Sequence, residues 1–335
     1  MASPVDTAGD AATAASPPPR RGTAVRERLT DPGFWADWAA LVGLVVLVVF
    51  FSLANSTFLT GGNLRATLIA AAIPMVLAIG QTFVIATAGI DLSLASAMTF
   101  GAIMLGFTSS HGWPIGLACV AAVVSAGLVG VVNGLVIAKG RITDFIVTLG
   151  TLSVASALAL IVAGGNPIQV TSSFLLRLSI GTVGPLGYAV VVALVLGVIA
   201  HVLLFHTRFG VHVLATGGDP ESARAMGIST DRVKVAVYTI SGALAGVGAI
   251  LLVARLGAAE PAANTTYLLN AVAAVVLGGV SLFGGRGTIA GPIIGALLLT
   301  VLVNGLTLMG VSQFYQPLSV GIVVILAALL MRFQK

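Results

Sequence analysis

The chain has 335 residues, 58% of them hydrophobic and only 8% charged, where soluble domains carry roughly 25% charged residues. That composition excludes a soluble globular protein. The net charge of +5 comes with no basic face or aromatic platform, so it does not point to nucleic acid. The single cysteine, Cys119, allows no intrachain disulfide.

Residues 1–33 are rich in Ala, Pro and polar side chains, the composition of a disordered tail. Arg20-Arg21 has the look of a twin-arginine export signal, yet the first apolar run starts only near Trp38 and no convincing cleavage site follows. That run is expected to remain as a first membrane helix, and residues 34–335 to form one transmembrane domain.

Ten apolar segments follow: 38–54, 67–88, 92–108, 115–138, 145–163, 186–205, 235–254, 267–283, 289–309 and 314–331. A crossing helix needs about 20 apolar residues. Only Gly89-Ile90-Asp91 separates the second segment from the third. Basic residues settle the parity. With ten crossings and both termini cytoplasmic, only Arg65, Arg177 and Arg255 of the sixteen Lys and Arg fall outside. Fusing segments two and three would export the most charged loop, against the positive-inside rule. The expected fold is therefore an all-α polytopic membrane protein with about ten transmembrane helices.

Asp91 is the one charged residue between Arg65 and Lys139, and Ser93 follows it closely. An acid at membrane depth is costly and tends to be functional, but Asp91 could equally cap the third helix. Asp144, at the start of the fifth segment, suits a cap and a local ion pair. Gln81, Asn133, Thr148 and Asn304 are polar groups in apolar surroundings. They are candidates for the path of a hydroxylated solute, with bonding to a neighbouring helix as the alternative. The external stretch Gly164–Gly184 is long for a loop. Gly242/Gly246 and Gly291/Gly295 have the spacing of close helix packing. Gly278-Gly279 and Gly284-Gly285-Arg286-Gly287 are expected as tight turns or helix breaks.

The richest polar stretch runs from His206 to Lys234. Within it Asp219 is placed as an N-cap, Pro220 as the first helical residue and Gly227 as the exit. These residues predict a helix of about two turns outside the membrane. So short a helix is unstable alone, which favours a docking role. Histidines 111, 201, 206 and 212 have no acid or cysteine at ligand spacing, so no metal is expected. The sequence contains neither a P-loop nor a nucleophile elbow, so no catalytic residue is expected.

From Asn63 onward the chain resembles the permease subunits of ATP-binding-cassette sugar importers, of the ribose/xylose/galactose type within the branched-chain amino acid and ribose permease family. The motifs that carry the likeness are Gly89-Ile90-Asp91-Leu92-Ser93, Phe145–Gly150, Gly217-Gly218-Asp219 through Ala223–Ile228, Val253–Leu256, Ala273–Leu282 and Gly284–Gly287. Leu268 and Asn270 stand where many relatives have Glu and Asp.

The resemblance implies a cytoplasmic coupling helix built on Gly217, Gly218, Asp219, Glu221, Ala223, Arg224, Gly227 and Ile228. It implies a permease that is not itself an enzyme and binds no cofactor. Its partners would be ATP-binding-cassette ATPase subunits, a second permease chain in a homo- or heterodimer, an external sugar-binding protein and membrane lipid. The setting would be the bacterial plasma (inner) membrane, and the cargo a pentose-like monosaccharide. A nucleoside, an autoinducer-type furanose or a sugar alcohol is an alternative cargo, and an ion-coupled secondary transporter an alternative mechanism. Asp91 and Ser93 would gate or cap.

Overall fold

The computed structural model describes residues 32–262 and 265–331. The expected tail, residues 1–33, lies outside the described residues but for its last two. Helices account for nearly all the ordered structure: α1 Pro32–Ala54, α2 Gly61–Ala86, α3 Leu94–Ser110, α4 Ile115–Gly140 and α5 Asp144–Ala163 come first. After them follow α6 Ser173–Ile180, α7 Tyr188–Phe205, α8 Arg208–Gly218, α9 Pro220–Ala225 and α10 Thr230–Leu256. The chain closes with α11 Thr265–Leu277, α12 Ala290–Leu308 and α13 Gln316–Met331.

Six of these, α2, α4, α5, α7, α10 and α12, are long and apolar enough to cross a membrane. Shorter apolar stretches are Trp38–Ala54 of α1, α3, α11 and Gln316–Leu326 of α13. Segments two and three are distinct helices, because Ala88 takes a left-handed φ of 58° and breaks the chain there.

α2 is the axis of the bundle. Its residues from Ala71 to Ala86 are all buried, and it packs on α7, α10, α11 and α12. Conversely, Leu117, Val120, Val124, Leu128 and Val132 line an exposed face of α4. An apolar helix face left in the open is what a lipid environment stabilises.

Backbone contact explains the paired glycines. A Cβ on Gly242 or Gly246 would strike Ala126 or Val123 of α4, and one on Gly130 or Gly134 would strike Tyr238 or Val235 of α10. The α4–α10 seam is thus built from small residues on both sides. Gly291 and Gly295 let α12 approach the backbone at Gly278 and Ala274 in the same way.

Two sequence expectations change. The stretch Gly164–Gly184 is not an irregular loop. It holds α6, and its residues Ile168–Gln169 (β1) pair antiparallel with Ala258–Ala259 (β4), while Thr182–Val183 (β2) pairs with Leu186–Gly187 (β3). The polar stretch after α7 carries two helices rather than one. Thr207 accepts a bond from Gly210 N–H and caps the start of α8, whose Val213 and Thr216 are buried. The capped helix α9 has six residues, in line with the expected length of about two turns.

The bundle has two distinct ends. Arg65 donates to the Ile180 carbonyl at 2.8 Å, and Arg255 closes α10 beside Ile69, Leu178 and Ala189. The end of α2, the end of α8 and the starts of α5 and α10 gather at the opposite end.

Candidate functional site

α9 stands on two complete caps. The Asp219 carboxylate accepts from the amides of Glu221 at 2.9 Å and Ser222 at 3.1 Å, and from the Ser222 hydroxyl. The hydroxyl bond, then the amides, hold its pKa below the ordinary carboxylate value. At the far end Gly227 has φ +81°, its N–H bonds Arg224 O at 2.9 Å and Ile228 N–H bonds Ala223 O at 3.0 Å. Those two bonds make a Schellman motif, with buried Ala223 and half-buried Ile228 as its apolar contact. Arg224 Nε donates to Thr230 Oγ1 at 2.8 Å and so ties α9 to the first residue of α10.

What this leaves outward is specific. Glu221, Ser222, Arg224 and Met226 are exposed, Met226 at 82%. Gly217 and Ala223 are buried. They shape the module rather than present a surface. Gly217 lies against the last turn of α2, where a Cβ would collide with the Ala86 carbonyl. Gly285 N–H donates to that same carbonyl at 3.1 Å, and both Gly284 and Gly285 have positive φ. The Gly284–Gly287 motif is therefore a turn wedged between α2 and α8.

Behind this module lies a polar knot. Asp91 is 1% exposed. One oxygen accepts from Ser93 N–H at 3.0 Å and Ser93 Oγ at 2.7 Å, the other from Ser241 Oγ of α10 at 2.9 Å. The carboxylate thus closes a turn just before α3 and also binds α3 to α10. Asn133 Nδ2 donates to Ser93 Oγ at 2.7 Å, while Asn133 Oδ1 has no partner among the described residues. The Gln81 amide faces the Asp91 backbone. In the orientation that satisfies both its atoms, it donates to Asp91 O at 3.3 Å and accepts from Asp91 N–H at 3.2 Å. Thr148 Oγ1 lies 2.8 Å from Asp144 O and 3.3 Å from Ile90 O.

Gln81, Asn133 and Thr148 are fully buried in this network. Asn304 is half-buried and exchanges two hydrogen bonds with Asn63, at 2.9 and 3.1 Å. Asp144 pairs with Lys234, 90 residues away, at 3.0 Å. The ion pair expected to be local is long-range.

A cavity of about 430 Å³, not foreseen from the sequence, opens beside α10, α11 and α12. Arg255, Thr266, Tyr267, Asn270 and Thr300 bring polar groups to it, while Ala70, Pro74, Ala296, Leu299 and Val303 supply apolar wall. Aromatic, amide, hydroxyl and guanidinium groups on an otherwise apolar wall suit a small hydroxylated solute. A signal existed in Tyr267–Asn270 and Arg255, singled out only as family motifs. A lining drawn from four helices cannot be read from one-dimensional spacing. Among the described residues there is no cluster of acids, histidines or cysteines that could hold a metal.

A bundle of apolar helices with an exposed capped helix at one end and a polar cavity nearer the other defines a membrane permease. The comparisons give the family. Residues 63–330 match the model of the branched-chain amino acid transport system / permease component, and the chain belongs to that family. It is 40% identical over 310 residues to the ribose import permease protein of Bacillus subtilis (strain 168), covering 92% of this chain and 96% of the relative. It is 38% identical to the ribose import permease protein of Escherichia coli (strain K12), over 87% of this chain and 92% of the relative. The L-arabinose ABC transporter permease protein of Azospirillum brasilense is 33% identical, with 87% of each chain covered. No solved structure matches the chain.

Proposed function

We propose that this chain is the translocating subunit of an ATP-driven importer for a monosaccharide of the pentose type, in a bacterial plasma membrane. One observation carries the reading: an exposed, doubly capped α9 in a chain that aligns almost end to end with sugar import permeases. α9 is the coupling helix, docking on a separate ATPase subunit through Glu221, Ser222, Arg224 and Met226. Asp219, Gly227, Ala223 and Ile228 give it shape, Gly217 joins it to the bundle, and Gly218 is the exposed link between them.

All ten apolar helices cross the membrane in this reading, and both termini are cytoplasmic. The distribution of charge supports it: Arg65, Arg177 and Arg255 belong to one end, while Lys139, Arg141, Arg208, Arg224, Arg232, Lys234 and Arg286 flank elements of the other. The cavity lined by Tyr267, Asn270 and Arg255 is then an outward vestibule that receives sugar from an external binding protein. A second permease copy completes the path. Gln81, Asn133, Thr148 and Asn304 stay with that path as residues that shape its walls, the role their internal bonds support. An ion-coupled mechanism is disfavoured because Asp91 is already satisfied by three donors from two serines.

Cysteine at position 226, in a background lacking Cys119, tests the docking face. Cross-linking of Met226→Cys to the co-expressed ATPase subunit is expected, and it should be lost on adding Arg224→Glu. No adduct in a complex that still assembles would remove α9 from the interface.

A further inference from the structure

Two residues on one face of α10, Tyr238 and Ser241, reach the break between α2 and α3, and a third on that face, Lys234, pairs with Asp144 beside it. Lys234 Nζ lies 3.0 Å from Asp144 Oδ2 and 3.2 Å from Oδ1, the one ion pair among the described residues. One turn on, the fully buried Tyr238 hydroxyl is 2.9 Å from the same Oδ2 and 3.3 Å from the Ile90 carbonyl. Ser241, three residues further, donates to Asp91 at 2.9 Å. Spacings of three and four residues put all three on one helical stripe. Gly89 lies against this cluster. A Cβ there would sit 2.6 Å from Asp144 Oδ2 and 2.8 Å from the Tyr238 hydroxyl.

The same short segment is held from its other side. Ala86 O accepts from Gly285 N–H, and Gly217 of α8 packs on it. Residues 86–91 are thus gripped twice by neighbours of α9: at Ala86 through the end of α8, and at Ile90–Asp91 through α10, whose first residue Arg224 holds. Charge decides how firm the second grip is. Lys234 and Asp144 are only 25% and 15% exposed, and the Asp144 carboxylate lies in the same cluster as the Ile90 carbonyl. Without the ammonium, a carboxylate only 15% exposed would keep the Tyr238 hydroxyl as its one side-chain donor, an unfavourable arrangement that would loosen the cluster around the turn.

We propose that Lys234, Asp144 and Tyr238 are positioning residues that lock the Gly89–Asp91 turn to the base of α10. Through this lock, movement of α9 reaches the α2–α3 pair and switches access to the path. The proposal rests on the importer reading above. The three residues belong neither to the cavity lining nor to the exposed face of α9. Its loss therefore separates ATP hydrolysis from transport without preventing either partner from binding.

The test uses the complete complex, permease with ATPase subunits and binding protein, in proteoliposomes, reading sugar moved per ATP hydrolysed. Lys234→Met and the milder Tyr238→Phe, which removes only the hydroxyl, are expected to keep ATPase association and basal hydrolysis within about twofold. Sugar moved per ATP should fall about tenfold in Lys234→Met and several-fold in Tyr238→Phe. The exchanged pair Asp144→Lys/Lys234→Asp should recover at least half of the wild-type ratio, because it restores the ion pair. Wild-type stoichiometry in both single variants would overturn the proposal. So would loss of assembly that the exchange does not repair, which marks a purely structural pair. Failure of the importer reading itself would appear differently, as absence of ATP-dependent uptake by the wild-type complex.

Discussion

Gly217 and Ala86 are in backbone contact: the end of α8 lies so close to the end of α2 that a methyl group at 217 would overlap the Ala86 carbonyl. The next glycine is unlike it, since a Cβ on Gly218 would meet nothing nearer than 3.8 Å. Gly217→Ala is therefore expected to destabilise the complex by about 1–3 kcal/mol, as overpacking does, and to lower uptake sharply. Gly218→Ala should leave both near normal. Thermal unfolding in detergent and uptake in cells, measured on the two variants side by side, check the contrast.

The cap of α9 gives a pH dependence with a definite sign. Asp219 has a pKa below its unfolded value of about 3.9 because its charged form accepts three hydrogen bonds. A depressed carboxylate stabilises the folded form above the unfolded pKa, and that contribution is lost as pH falls through the lower, folded pKa. Amide exchange at Glu221 and Ser222, corrected for intrinsic rate, should stay protected at pH 5 and lose protection only below about 4. Asp219→Asn keeps an acceptor for the amides and should remove the pH dependence while retaining most transport. Asp219→Ala should lose both protection and several-fold of uptake.

Vestibule and knot are expected to fail in different ways. Tyr267→Phe and Asn270→Ala change groups that face the cavity. They should raise the concentration of loaded binding protein needed for half-maximal uptake several-fold, with little change in thermal stability. Asn133→Ala removes the group that donates to Ser93 in a fully buried network, and should cost about 1–3 kcal/mol of stability. Uptake titrations and melting curves for the three variants distinguish the two roles.

Sidedness can be read with thiol reagents. Ser173 opens α6 before α7 and Ser222 lies in α9 after it, so one helix long and apolar enough to cross a membrane separates them. With Cys119 replaced, Ser173→Cys in intact cells should react with a membrane-impermeant maleimide, and Ser222→Cys only after permeabilisation. The reverse pattern would invert the topology.

What the sequence made legible was local. Asp219, Pro220 and Gly227 lie within nine positions of one another, and cap chemistry acts over that range, so α9 was placed from residue types alone. The break at Gly89–Asp91 was only a three-residue gap between apolar runs, and the sidedness of Lys and Arg rather than hydropathy decided it. α8 was not legible, because Arg208, His212 and Thr216 gave its eleven residues the look of a loop, while its burial depends on α2 and α7. The partner of Asp144 was beyond reach for a similar reason. Lys234 is 90 residues away and meets it only because α5 and α10 start at the same end of the bundle. Gln81 and Asn133 looked available to a solute as polar letters in apolar runs. Their hydrogen bonds to Asp91 and Ser93 are tertiary facts.

Uptake energetics decide whether import through this chain is driven by ATP. The complete complex, with its binding protein loaded with radiolabelled ribose, is placed in sealed vesicles. Uptake is then followed with ATP on the ATPase side, with a protonophore, and with ATP omitted. Accumulation is expected to survive the protonophore, to stop without ATP and to be abolished in parallel with stimulated hydrolysis by Gly227→Pro. Uptake that continues without ATP and collapses with the proton gradient would contradict import driven by ATP.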